Sequence, residues 1–514
     1  MNLWKDIRNN NTGSEVRLDR GVNEHNSDDL LALSQNNTIK YLIIETFYWG
    51  VKPELVKAIS LNQNIEKLEI NNNELDDECC EILSQNKYVK TLELIENDLG
   101  ETRCQILMKN SRSKSILIHY NKIGALGCQA LIDNKNLKKV KLLDCELDLE
   151  CCRVLATTDT IVEMHIADDY LSREKCLPFV NNNSILKLVL NSNNIEYKTF
   201  VELMTNTIIK ILELSNNNIC SLKMEDFTKN DTLKKLDISM NRIGDEQFQI
   251  IVNNTSLEIL NVHENKITDK GCECLVNNKT IKILYLGYNN IGNEGCRMLA
   301  QNKFIIELRI RNNNIDNEGF SYLLNIPYEY EDIPNLRFLD ISGNKINDQG
   351  CSSLISNRYL TTLKLSQSGI TDEGCKYIAQ NKNLTTISLI NNNITNEGCK
   401  ILAKHNTLIE IDLSHNKINY LGAQAFSNNI NIVRLYMEFT YSNEDNDEYC
   451  IKDILEFKRI KNKQLSSLRA LCWDLIQKEK IEHELPPIMI EDLELELEKS
   501  NFEYGNGYAY GFYR

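Results

Sequence analysis

The feature that most constrains this chain is a beat of 24 residues. "LEINNNEL" begins at Leu68, "LELIENDL" at Leu92, "LVLNSNNI" at Leu188, "LELSNNNI" at Leu212 and "LDISMNRI" at Leu236. "LNVHENKI" follows at Leu260, "LYLGYNNI" at Leu284 and "LRIRNNNI" at Leu308. One step, from Leu308 to Leu339, is longer because "NIPYEYEDIPN" is inserted; the beat resumes through Leu363, Ile387, Ile411 and Leu435. A degenerate first unit, "LIIETFYW", starts at Leu42 and brings the count to about 17. Such a period means that each unit is one supersecondary element, able to bury its apolar face only against its neighbours.

Within a unit, the two Leu of L-x-L point to the same side under the two-residue periodicity of a strand. The Asn that follows (Asn73, Asn97, Asn121, Asn193, Asn217, Asn241, Asn265, Asn289, Asn313, Asn344, Asn392 and Asn416) stands where the chain turns away from the strand. Stacked, these amides are expected to form a ladder that satisfies backbone groups no regular element reaches. The second half of a unit reads D/N-E-G-C-x-x-L-x-x-N-K, with Cys80, Cys104, Cys128, Cys152, Cys176, Cys272, Cys296, Cys351, Cys375 and Cys399 at one phase. Phe200, Met224, Phe248, Phe320 or Ala423 replaces Cys elsewhere at that phase. A position with that choice of residues is a buried apolar slot rather than a metal or disulfide framework. The adjacent pairs Cys79-Cys80 and Cys151-Cys152 also argue against a shared metal, because neighbouring helix residues do not share a face.

The pattern L-x-x-L-x-L-x-x-N-x-I resembles the leucine-rich-repeat family over roughly residues 38–440, and the helical half resembles its ribonuclease-inhibitor-like branch. That resemblance implies an α/β fold: a curved solenoid with a parallel sheet on the concave face and α-helices on the convex face. Residues 1–37 are expected to form an N-terminal cap, and residues 441–514 a helical C-terminal region.

A net charge of -15 disfavours nucleic acid and anionic membranes as partners, since phosphates would be repelled. No apolar run is long enough for a membrane span. The start lacks the apolar core of a secretory signal, and the unpaired cysteine usage suits a reducing, cytoplasmic compartment. No P-loop, Gly-x-Ser-x-Gly, His-Glu-x-x-His or dinucleotide fingerprint occurs, so neither an enzyme nor a cofactor is expected.

Binding is the remaining class. Positions one, three and four after each marker Leu should line the concave face, and most hold Asn, Ser, Asp or Glu. One stretch differs: His263, Glu264, Tyr285, Tyr288, Arg309 and Arg311 fall on three consecutive strands. Tyr and Arg are enriched in binding hot spots, so this is the candidate target-binding patch. The inserted loop with Tyr328 and Tyr330 follows and is placed to overhang it. A second, weaker cluster is His119, Tyr120, Lys141, Asp144, His165 and Asp168; it lacks the Cys or third His a metal site needs.

After the beat stops comes "SSLRALCWDLIQKEKIEHELPPIMIEDLELEL", beginning at Ser466. Leu465, Leu468, Leu471, Cys472, Leu475 and Ile476 give an amphipathic helix, which a solenoid needs as a cap for its last repeat. Ser467, Leu468, Cys472 and Ile476 also resemble the BC box, the helix that SOCS-box proteins insert into Elongin C. Leu485, Pro486, Pro487 and Ile488 resemble the cullin-selecting segment of the same box, although the family's L-P-hydrophobic-P is here Leu-Pro-Pro-Ile. The resemblance covers residues 464–500. It implies a substrate-receptor adaptor recruiting Elongin B, Elongin C and a cullin, Cullin-5 rather than Cullin-2, while the solenoid holds a target protein. Two rivals stand beside it. Cys472-Trp473-Asp474 matches the C-x-D of bacterial leucine-rich-repeat ubiquitin ligases, but the remaining chain is too short for their catalytic domain. A plain scaffold or inhibitor with a capping C-terminus is the other. Asn, Ile and Lys richness suggests an AT-rich genome. Repeats joined to such a box resemble secreted effectors of intracellular bacteria such as Legionella, as does the Glu-rich run "EDLELELEK" at 491–499, which would place the chain in a host cytosol; a protozoan or giant-virus origin is also compatible. The Tyr/Gly-rich end, "NFEYGNGYAYGFYR", suggests no role.

Overall fold

The computed structural model describes residues 3–437, apart from 19–25, 46–49, 73, 168–169, 221–229, 326–335 and 428. The box-like segment with Ser467, Leu468, Cys472, Ile476, Leu485, Pro486, Pro487 and Ile488 lies outside the described residues, as do Asn73, Asp168, Met224, Tyr328 and Tyr330.

Alternating apolar residues make the strand of each repeat, and every strand pairs in parallel with those before and after it in an 18-stranded sheet. The markers align across it: Leu260 with Leu284, Leu284 with Leu308, and Leu308 with Leu339 despite the insertion between them. Helices connect successive strands on the other side wherever the connection is fully described, giving the two-layered leucine-rich-repeat solenoid expected from the beat. The sheet reaches back before Leu42, because the strand Glu15–Leu18 pairs with Tyr41–Glu45 and places Val16 beside Leu42. Among the described residues no helix is long and apolar enough to cross a membrane.

The core runs between sheet and helices as one continuous apolar column. All ten cysteines at the helical phase are buried, as are Phe200, Phe248 and Phe320, while Ala423 is half-buried. The adjacent cysteines are buried too: Cys79 turns its thiol to the Val51 carbonyl at 3.3 Å while Cys80 packs inward. Every described cysteine is a free thiol. Burial raises the pKa of Cys104, Cys176 and Cys351, and it pushes the Cys104 thiol up to about 12.

The first Asn column forms as expected. The Asn121 side-chain oxygen accepts from the Asn97 and Leu99 amides, both at 3.0 Å, while its Nδ2 donates to Leu94 and His119 carbonyls. A second column runs along the turns between helix and strand. Asn381 Oδ1 accepts from the Asn383 and Leu384 amides at 2.8 and 2.9 Å, and its Nδ2 donates to the Leu354 and Asn357 carbonyls of the preceding repeat. Asn206, Asn230 and Asn302 repeat this arrangement, and His405 stands in for Asn at one turn.

A third column explains D-E-G-C. The Asp348 carboxylate accepts from the amides of Thr371 and Gly374 and from the Thr371 hydroxyl, tying one helix start to the next. Asp372 does the same for Thr395 and Gly398. Glycine is required because an added Cβ at Gly374 would lie 2.5 Å from Asp348 Oδ1.

Candidate functional site on the concave face

Short strands with period-2 side chains put the candidate patch on one face of the sheet. Tyr285 ends the strand Ile283–Tyr285 and sits in register between Asn261 and Arg309, which ends Glu307–Arg309. His263, Gly287 and Arg311 form the next row outward, where the ladder continues through Glu264 N–H to the Gly287 carbonyl and Tyr288 N–H to the Arg311 carbonyl, each 2.9 Å. Glu264 and Tyr288 adopt left-handed backbone, with φ of 51° and 53°. That conformation is uncommon for a side chain as large as tyrosine, and the ladder bond at each residue holds it in place.

The sequence-derived residues are brought together, and they touch. Arg309 lies over the Tyr285 ring with its guanidinium carbon 4.9 Å from the centroid, and Arg311 lies 5.4 Å from that of Tyr288. His263 meets Tyr288 edge-on at 4.9 Å and approaches Glu264 at 3.4 Å. Gly287 makes the close packing possible, since a Cβ there would meet His263 Nδ1 at 2.6 Å and Arg311 Cγ at 3.0 Å. Burial, with the Arg311 charge beside it, lowers the His263 pKa to about 4, so the ring is neutral near pH 7. Tyr288 remains 45% exposed at the top of the cluster.

Several participants were missed from sequence. Glu307 Oε1 holds Arg309 Nε at 2.7 Å, and Phe338 lies under the same guanidinium at 5.0 Å. Asp340 and Lys364 extend the row in register beyond Arg309. Glu307 and Phe338 precede their marker Leu by one position, a phase that faces the same way as the position after it. Carrying the alternation back one step would have found them.

The second cluster does not come together as one site. His119 stacks on Tyr120 at 4.0 Å and reaches Asp144 at 3.4 Å, whereas His165 pairs with Glu163 two strands away at 2.6 Å. Lys141 lies between these pairs, in register with His165. Among the described residues no group of three His, Cys, Asp or Glu is placed to hold a metal.

The fold and its two-sided repeat define the leucine-rich-repeat class of solenoid. Residues 229–246, 253–276, 277–300, 301–324, 333–354, 356–379, 380–403 and 404–427 match the family described as Leucine Rich repeat, so this part of the chain is built of leucine-rich repeats. Its structure is similar to that in the mouse RP105/MD-1 complex, at 14% identity over 79% of this chain and 72% of that one, with a TM-score of 0.51. A leucine-rich-repeat protein of Leptospira interrogans also matches, at 20% identity over 85% and 98% of the two chains, with a TM-score of 0.41. No curated protein matches the sequence.

Proposed function

We propose that this chain is a non-enzymatic adaptor: its concave face grips a target protein, and its C-terminal segment recruits Elongin B and C together with a cullin–RING ubiquitin ligase. The repeats supply a protein-binding scaffold. The observation that carries target binding is the packed Tyr–Arg cluster of Tyr285, Tyr288, Arg309 and Arg311, braced by His263, Glu264 and Glu307. Aromatic and guanidinium groups already stacked on one another lose little side-chain freedom when a partner arrives, so more of the contact energy appears as affinity.

Recruitment rests on sequence: Ser467, Leu468, Cys472 and Ile476 in BC-box spacing, followed by Leu485, Pro486, Pro487 and Ile488. Leu468 would fill an apolar pocket, and the small Cys472 would let the helix approach its partner closely. Cullin-5 fits the Leu-Pro pair better than Cullin-2. The Glu-rich run at 491–498 supports delivery by a Legionella-type bacterium into a host cytosol. The competing reading is a scaffold or inhibitor whose C-terminal helices only cap the solenoid.

Cross-linking mass spectrometry in host cytosol tests the target face. Proteins cross-linked within the concave face of the wild type should be lost in a Tyr288→Ala, Arg311→Ala variant that melts normally. Unchanged cross-links would overturn the assignment of the cluster.

A further inference from the structure

The concave face holds a second feature that the Tyr–Arg cluster does not absorb. Across the strands Thr91–Ile95, Ser115–His119, Lys139–Leu143, Glu163–Ala167 and Lys187–Val189, the side chains of Ile95, Leu117, Leu143 and Ala167 replace the polar residues found on most of the sheet. All four are half-buried, so they form an accessible apolar floor. Lys141 rises from its middle, in register between Leu117 and His165.

The neighbouring cations on this floor have carboxylates. Lys139 pairs with Glu163 at 2.8 Å, and Lys67 with Glu93 at 3.0 Å. Lys187 lies between Glu163 and Glu213, at 3.8 and 3.7 Å, and Lys235 is 3.3 Å from Glu213. His119 and His165 face Asp144 and Glu163. Lys141 alone among them has no hydrogen bond and no carboxylate within ion-pair distance among the described residues. Burial, aided by the charge of Lys139, lowers its pKa, and Glu163 and Glu93, both beyond ion-pair distance, only partly offset that loss of water.

We propose that this floor is a recognition site for an acidic–apolar protein segment, which sets an Asp or Glu carboxylate on Lys141 and apolar side chains on Leu117 and Leu143. A carboxylate restores the interaction the ammonium lacks, and the flanking apolar surface shields the pair from water. One unpaired cation matches one carboxylate. A polyanion such as nucleic acid would meet Glu93, Asp144, Glu163 and Glu213 on the same surface. The inference rests on the concave face being a protein-binding face, but the site is separate from the Tyr–Arg cluster. Six strand steps divide them, about 29 Å at the usual strand spacing.

A displayed library of random twelve-residue peptides, selected on the full chain, tests the site. Recovered peptides should carry Asp or Glu beside Leu, Ile or Phe. They should bind the Lys141→Glu variant at least tenfold more weakly, bind Lys141→Arg nearly as well as wild type, and be indifferent to Arg311→Ala. Lys141→Met should keep the apolar preference and lose the acidic one, which separates loss of charge from loss of fold. Selected peptides without acidic enrichment, equal binding to Lys141→Glu, or failure to recover any binder would overturn the proposal. Peptides sensitive to Arg311→Ala but not to Lys141→Glu would overturn it too, while leaving the Tyr–Arg cluster as the binding surface.

Discussion

Replacing Gly374 by alanine tests how one repeat is tied to the next. The new methyl would lie 2.5 Å from Asp348 Oδ1 and 2.6 Å from Ile370 Cγ2, so the carboxylate must leave. It then loses three bonds, from the Thr371 amide at 2.8 Å, the Thr371 hydroxyl at 2.6 Å and the Gly374 amide at 2.9 Å. At a partly wet site each bond contributes roughly 1 kcal/mol, about 3 kcal/mol together. Alanine returns about 1 kcal/mol of helix propensity over glycine. The net local loss is about 2 kcal/mol, or roughly thirtyfold in the opening equilibrium. Hydrogen exchange of the peptide spanning residues 371–379 is the suitable assay, because long repeat arrays need not unfold in one step. Exchange should quicken by that factor in Gly374→Ala and by more, roughly 150-fold for the full three bonds, in Asp348→Ala. The double variant should exchange more slowly than the two single effects added together, since only the contact with Ile370 Cγ2 then opposes the methyl. Additive effects, or no effect from Gly374→Ala, would refute the steric account of the D-E-G-C motif.

Three further outcomes follow from the same columns. His405 accepts from the Thr407 and Leu408 amides through Nδ1, at 3.3 Å each, where other turns use Asn. Burial lowers its pKa, so its neutral form contributes stability above the unfolded value of about 6.5 that is lost as pH falls below it. His405→Asn should raise the melting temperature, by about 1 kcal/mol of added stability, and remove that acid sensitivity; a melting curve at pH 5 and pH 7.5 decides. Native alkylation at pH 8, read by mass spectrometry, should modify the exposed Cys220 while Cys104, Cys128 and Cys375 react only after denaturation. Cys375→Ser should lower stability by about 1–3 kcal/mol through an unpartnered buried hydroxyl, whereas Cys220→Ser should leave the melt unchanged.

The repeat phases made much of this structure legible. The markers predicted the strands, and restriction of one helical position to Cys, Phe, Met or Ala predicted a buried slot. The Tyr–Arg cluster was visible because its residues recur at exposed phases of consecutive units. What escaped depends on partners a repeat away. The Asn of L-x-x-N-K was plain as a letter, but its acceptors lie 24 and 27 residues earlier for Asn381. The glycine of D-E-G-C gains its reason only when the previous repeat's Asp is seen arriving at its Cα. Lys141 was grouped with nearby histidines by sequence phase, whereas the ion pairs around it single it out as the cation left over.

The adaptor reading is tested most directly by titrating the purified full chain against the Elongin B–Elongin C complex by calorimetry. It predicts one-to-one binding by the wild type, abolished by Leu468→Ala with Cys472→Phe while the solenoid melts unchanged. A folded wild-type chain that releases no heat and forms no complex by size exclusion would contradict it, leaving a repeat scaffold whose last helix is only a cap.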